Sequence, residues 1–479
     1  MANRYWVGGT GTWDGSDTSH WSASSGGASG ASVPTSADNV FINSSSGFGS
    51  GGTITIGNQS ICNNLTSNSG HTYNMDNGIG ECHGSLILES GLTFTNSNGF
   101  NMNATGSGNV VQTNGSDILY LKFGGIDGSG IWTLTGDLIM GAGSFLYFYD
   151  GTFNADIYNV TVESVEVLTN YDVVNLNMGT GTWTCTGSNA FFASFNPTIN
   201  AQSSTLVLNG SNPIFIGDGK TYNNLNFTGS GTLKVYGANT FNDIDATPGL
   251  SIEFESGITQ TLSNFSAIGS AGNLVTIGSN ILTGDITTQS YTVSGGELLT
   301  NGTFTGSAAG WTLGAGWTYG VNNLGHLGAT SSASQTPTIT TNTYYLVSLV
   351  IIATDATDSM EISLGGISYF INAGIIVAGT YTFIVYTSTT DGISITISGT
   401  TVIDTVSVKK ILPGQHTLSK TSGTIASDYL NLSHSNATGG ATWYAGSHST
   451  NTTDNTGWIF TDAPSTGGSG KFISLLGIG

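Results

Sequence analysis

One nine-residue phrase occurs three times at nearly constant spacing, and it restricts the folds open to this chain more than any other feature. Gly128-Ser-Gly-Ile-Trp-Thr-Leu-Thr-Gly136, Gly179-Thr-Gly-Thr-Trp-Thr-Cys-Thr-Gly187 and Gly229-Ser-Gly-Thr-Leu-Lys-Val-Tyr-Gly237 start 51 and 50 residues apart. A fixed period of this size means stacked supersecondary units. In each copy a glycine turn precedes alternation, with Trp132, Trp183 and Leu233 in phase with Leu134, Cys185 and Val235. That phase faces a core, and the intervening Thr or Lys faces water.

A shorter pattern runs through the same region. Asn159-Val-Thr-Val162, Asn175-Leu-Asn-Met178, Asn224-Leu-Asn-Phe227, Asp243-Ile-Asp-Ala246 and Asn264-Phe-Ser-Ala267 each set Asn or Asp before alternating residues. The last three begin 19 and 21 residues apart, which suits one coil of a β-helix. The leading Asn and Asp residues are expected to stack as ladders at the bends, where they tolerate left-handed backbone. No extended i, i+3, i+4 apolar stripe competes with this reading. The expected fold is all-β: a parallel β-helix or solenoid, interrupted by a jelly-roll β-sandwich.

Composition narrows the partners. The 479 residues carry 8 Lys+Arg against 29 Asp+Glu, a formal net charge of −21. Nucleic acid and anionic membrane surfaces need clustered cations, so neither is an expected partner. No apolar run approaches the ~18 residues of a spanning helix, and the N-terminus has no signal-type apolar region. Cys62, Cys82 and Cys185 cannot build a disulfide framework. Cys62 and Cys82 fit either a pair or two buried thiols on stacked rungs.

The texture divides the chain. Residues 1–45 hold Trp6, Trp13 and Trp21 and read as a cap over an open solenoid end. Residues 46–296 read as the solenoid. Residues 297–411 have denser strands and read as an inserted module. Residues 412–464, with Trp443 and Trp458, read as the last coils and a second cap. Residues 465–479 are a Ser/Gly linker and an apolar tail, which docks on a neighbouring subunit or folds back on the last coil.

The insertion opens Leu298-Leu-Thr-Asn-Gly-Thr-Phe304, continues to Gly310-Trp311, and closes Val402-Ile-Asp-Thr-Val-Ser-Val408. It resembles the galactose-binding-like jelly rolls of family 4/9-type carbohydrate-binding modules. That resemblance implies a structural role for Trp311 and a sugar platform among Trp317, Tyr319 and Tyr344. It also implies a structural Ca²⁺ near Asp404, with Glu297 as the acidic partner. The two ends, Tyr5-Trp-Val-Gly-Gly-Thr-Gly-Thr-Trp-Asp14 and Ala441-Thr-Trp-Tyr-Ala-Gly-Ser447, resemble phage-encoded virion proteins of the β-helical tail spike, fibre and capsid-decoration types. That likeness implies a virion location: a chain made in the host cytoplasm and exposed on the particle surface. It also implies other virion subunits as partners, a homo-oligomer, and contact with host-surface glycan.

Catalysis has a thinner basis. Glycoside hydrolysis needs two carboxylates about 5 Å or 6.5–9.5 Å apart. Glu253 with Glu255, and Asp243 with Asp245, are the i, i+2 pairs on the solenoid; Asp355, Asp358 and Glu361 cluster in the insertion. No Lys or Arg clusters with these acids in the sequence. The seven histidines give no metal-type spacing, so no metal or cofactor is expected beyond the Ca²⁺ that the resemblance implies. The reading is therefore a non-enzymatic virion fibre, spike or head-decoration protein that adheres to host-surface glycan through the inserted module. The alternatives are a glycan depolymerase spike using a solenoid carboxylate pair, and a purely architectural capsid-decoration protein.

Overall fold

The computed structural model describes residues 2–464 apart from 50, 58, 77, 97–98, 126–128, 169–172, 282–289, 356–357 and 373–375. The apolar tail and Gly128 of the first repeat lie outside the described residues. These form β-strands and no helix, in two compact units. One comprises residues 1–253, 259–278 and 417–479; the other comprises 254–258 and 279–416.

The first unit is a β-solenoid. Short strands recur once per coil and pair in parallel with the same strand of the next coil. This builds a ten-stranded, a thirteen-stranded and a nine-stranded sheet, with smaller four- and three-stranded sheets near the two ends. Along the nine-stranded sheet, Val160 pairs with Trp183 and Thr205 with Asn224, so one coil is the stretch between such partners, longer in the first case than in the second. Alternation in each strand sends every second side chain inward. Because the register is kept, like side chains stack into columns. Phe123 lies over Phe148 at 5.5 Å between centroids, and Phe191 over Phe215 at the same distance. Burying such rings in dry columns is the main stabilising term for a coil that touches only its neighbours.

The three copies of the nine-residue phrase have the expected phase. Trp132, Trp183 and Leu233 are fully buried. They do not stack on one another, however. Ile131–Leu134 belongs to the ten-stranded sheet, Thr182–Cys185 to the nine-stranded and Thr232–Tyr236 to the thirteen-stranded. The step from one copy to the next is two coils and a fraction, so each copy lands on the next face. The shorter pattern stacks directly: Asn224 pairs with Asp243 and Leu225 with Ile244. None of its five leading residues has positive φ, so their ladders run along strands rather than at left-handed bends. Left-handed backbone falls instead to corner residues such as Asn196 and Asp218. Amide ladders do occur on the flanks, as where Asn177 Nδ2 donates to Asn154 Oδ1 at 2.7 Å.

At the N-terminal end, Asn3–Trp6 already pairs in parallel with Asn39–Asn43, so the solenoid begins inside the segment expected to be a cap. The capping element is the two-residue strand Trp21–Ser22, which covers Asn3–Trp6 antiparallel and closes the sheet edge. Trp6, Trp13 and Trp21 are fully buried, and Trp443 packs on Trp458 at 5.2 Å near the other end. Cys62 and Cys82 are register partners on adjacent rungs, both buried and both free thiols.

The second unit interrupts one corner. Other coils pass from the thirteen-stranded to the nine-stranded sheet within a few residues, as between Glu255 and Thr259. One coil instead leaves at Val275–Asn280 and returns at His416–Ser419. The stack itself does not register the interruption, because Val275 pairs directly with Leu430 and Ile277 with Leu432. The inserted unit has two antiparallel sheets, six- and five-stranded, over a shared core that includes Val347, Leu349, Ile362, Ile395 and Val406. Its central strand Tyr344–Thr354 lies between Gly379–Tyr386 and Thr401–Pro413. The unit is wider than the 297–411 read from texture, since Tyr291–Glu297 already pairs with the end of Thr401–Pro413.

Candidate functional site

The outward face of the thirteen-stranded sheet carries a cluster of surface aromatics. In Tyr120–Phe123 the inward residues are Leu121 and Phe123, and Tyr120 and Lys122 point out. In Phe145–Phe148 the same alternation buries Leu146 and Phe148 and leaves Phe145 and Tyr147 outside, with Tyr149 beyond them. Register pairing then assembles the patch: Tyr120 stands opposite Phe145, and Lys122 opposite Tyr147. The Tyr147 ring lies 5.4 Å from Tyr120, 5.8 Å from Phe145 and 5.7 Å from Tyr149, centroid to centroid. Lys122 Nζ sits 5.6 Å from the Tyr149 centroid.

Carboxylates flank the rings. Glu81 aligns through Asn101 with Lys122, and Tyr147 aligns with Glu166, which in turn meets Phe192. Packing in this strip costs each polar group some solvent. Burial, helped by neighbouring tyrosines and, for Tyr147, by Glu166, pushes the Tyr120 and Tyr147 hydroxyls up to about 12. Burial lowers the Lys122 ammonium, with Glu81 opposing, and raises the Glu166 carboxyl.

Further along the same sheet stand Lys234 and Glu253. Burial raises the Glu253 carboxyl, and the Lys234 ammonium partly offsets this. Glu253 lies over Gly278, where an added Cβ would stand 3.8 Å from its Cγ.

The residues singled out from sequence are dispersed by the fold. Glu255 is buried, unlike its strand neighbour Glu253. Asp243 and Asp245 lie on the nine-stranded sheet, whereas Glu253 lies on the thirteen-stranded. Asp243 is tied to the next coil, accepting from Ser266 Oγ at 2.6 Å and Ser266 N at 3.1 Å. Burial raises the Asp245 carboxyl, against a hydrogen bond from the Ala246 amide. In the inserted unit, Trp317 and Tyr344 are core residues; only Tyr319, 39% exposed, can face a ligand. Trp311 packs on Phe304 inside, as its expected structural role requires.

Asp358 is buried, and its carboxylate accepts from Thr401 Oγ1, Thr354 Oγ1 and the Asp355 amide at 3.0 to 3.1 Å. Burial opposes its ionisation, but these donors outweigh it and hold the carboxyl below the usual range. Asp355 is exposed, and Glu361 lines a 180 Å³ hollow with Phe370 and Thr396. Glu297 accepts from Val408 N at 2.7 Å and Ser407 Oγ at 2.5 Å, which pins the start of the unit to its last strand. Asp404 is half-buried.

Among the described residues, one group of metal-ligating types gathers within 4.8 Å: Asp428, His448 and Asp462. It includes neither Asp404 nor Glu297. His448 Nδ1 lies 2.8 Å from Asp428 Oδ2, and the imidazole stacks on Tyr429 at 4.5 Å. Asp428 and His448 are one coil apart, a signal the sequence carried without any metal-type motif.

No family model and no curated protein matches the chain. Among solved structures it is similar to the enzymatically active domain of tailspike protein 4 from bacteriophage CBA120, with 11% identity and a TM-score of 0.21. The match covers 78% of this chain and 64% of that one, less than two thirds of its length. At these values no functional argument rests on the likeness, and the solenoid assignment stands on the strand pairing described above. The expectation of a non-enzyme is nevertheless corrected. Its premise, that no cation accompanies the solenoid acids, does not hold, because the Lys234 ammonium acts on the Glu253 carboxyl.

Proposed function

We propose that this chain is a virion spike or fibre component that engages surface glycan along the outward face of its thirteen-stranded sheet. The observation that carries the reading is the strip Tyr120, Phe145, Tyr147 and Tyr149, in which three rings surround Tyr147 at 5.4 to 5.8 Å on a rigid face. Flat rings offer apolar surface to sugar C–H faces, and the flanking Glu81 and Glu166 accept hydroxyl hydrogen bonds. The jelly-roll, carbohydrate-binding reading of the inserted unit rests on other residues than the expected sugar platform, with exposed Phe370 and the neighbouring Glu361 on its five-stranded sheet.

A second reading adds cleavage. Glu253 favours it: a carboxyl that burial keeps protonated to higher pH is suited to donate a proton to a leaving oxygen, and Lys234 is placed to meet developing negative charge. Incubation with envelope polysaccharide tests both readings. Fragment release that Glu253→Gln abolishes, with binding retained, supports cleavage. Binding without release from the wild type removes it, and loss of binding on Tyr147→Ala supports the strip.

A further inference from the structure

We propose that the aromatic strip selects uncharged glycan and turns acidic polysaccharide away, a substrate class that rests on the glycan reading above. The charge pattern around the strip is the basis. Between Arg4 and Lys220 the sequence holds a single Lys or Arg, Lys122. Its ammonium is already seated over the Tyr149 ring. The aligned column that crosses the strip has Glu81 two rungs before Tyr147's partner Lys122 and Glu166 one rung after Tyr147. Rungs repeat every ~4.8 Å, so the two carboxylates bracket the rings within ~20 Å.

An acidic polymer laid along this face would meet Glu81, 3.5 Å from the His83 imidazole, at one end, Glu166 at the other, and one committed cation between. The chain's formal charge of −21 adds a long-range field of the same sign. A neutral polyhydroxylated chain meets no such penalty. Its hydroxyls donate to Glu81 and Glu166, and its C–H faces stack on Tyr147 and Phe145. Contacts of that kind depend little on salt, because no counter-charge is being screened.

The test is affinity electrophoresis of the full chain through gels holding a panel of neutral glucans, mannan and galactan, or the acidic polymers hyaluronate and polygalacturonate. Retardation by a neutral polymer is expected, unchanged between low and ~0.15 M salt. Tyr147→Ala should weaken it roughly tenfold, while Ile157→Ala, a surface change off this sheet, should not. Glu81→Lys with Glu166→Lys should bring in retardation by the acidic polymers. Stronger retardation of the wild type by an acidic polymer would overturn the charge class and leave the glycan reading standing. No retardation by any polymer would overturn both. So would retardation untouched by Tyr147→Ala, or a change in particle mass by light scattering on that substitution without sugar binding, since the strip would then face a second copy.

Discussion

The solenoid and the inserted unit solve the same problem, burying alternating strands, with opposite use of chain distance. In the solenoid a strand's partner is one coil away, so outside the coil that carries the insertion the columns are built from residues close in the chain, as Asn224 on Asp243. In the inserted unit, partners such as Glu297 and Ser407 are 110 residues apart, and Thr401 reaches back 43 residues to Asp358. A solenoid coil can therefore be disturbed locally. The sandwich depends on joining its two ends.

Trp183→Ala should break that contrast most forcefully if it is wrong. Removing a fully buried ring whose Nε1 donates to Met178 O should cost ~3–5 kcal/mol. Hydrogen exchange should rise in coils near Thr182–Cys185 while Tyr344–Thr354 keeps its protection. Equal loss in both units would show that they unfold together.

Asp358→Asn should destabilise the inserted unit by ~1–3 kcal/mol, since three donors lose a charged acceptor. Because the folded carboxyl titrates below the unfolded value, its contribution is present above the ordinary value of 3.8 and lost as pH falls through the folded one. Denaturant midpoints of wild type and variant should converge at low pH; a constant gap would refute the assignment.

Asn177→Ala should cost the solenoid ~0.5–1.5 kcal/mol, through the broken amide ladder to Asn154. Thermal unfolding that leaves the solenoid transition unmoved would mean the ladders are passive.

Glu253→Gln should have the smallest effect and the opposite sign. Its folded carboxyl titrates above the unfolded value, so its contribution is full at low pH and lost as pH rises through the folded value. The variant should be the more stable at pH 7, by under ~1 kcal/mol because the group is only partly buried, and equal to wild type at low pH. Denaturant midpoints at the two pH values measure this.

Those regions also differ in how much could be read before folding. Inward phase and coil length were legible, because alternation and a short repeat spacing are local properties. The place of each nine-residue copy was not, since the step between copies is no whole number of coils. The aromatic strip was hidden for a related reason. Tyr120 and Lys122 alternate with Leu121 and Phe123 as in any half-buried strand, and Phe145-Leu-Tyr-Phe148 shows no clear alternation, so neither segment marks a site on its own. Only their register, which sets Phe145 one coil on from Tyr120, puts the outward rings together. In the insertion, the resemblance pointed to aromatics by position in a motif. Packing assigns Trp317 and Tyr344 to the core, which alternation over three residues cannot decide.

The direct pairing of Val275–Ile277 with Leu430–Leu432 has an evolutionary consequence. To the stack, everything between Asn280 and His416 is one long loop, and the entropy of closing a loop grows only with the logarithm of its length. A lineage can therefore trade, enlarge or discard the cargo at this corner without rewriting a single coil. Lengthening such a loop costs the stack less than truncating a buried ring in a column. The shaft is thus free to remain conservative while what it carries diversifies.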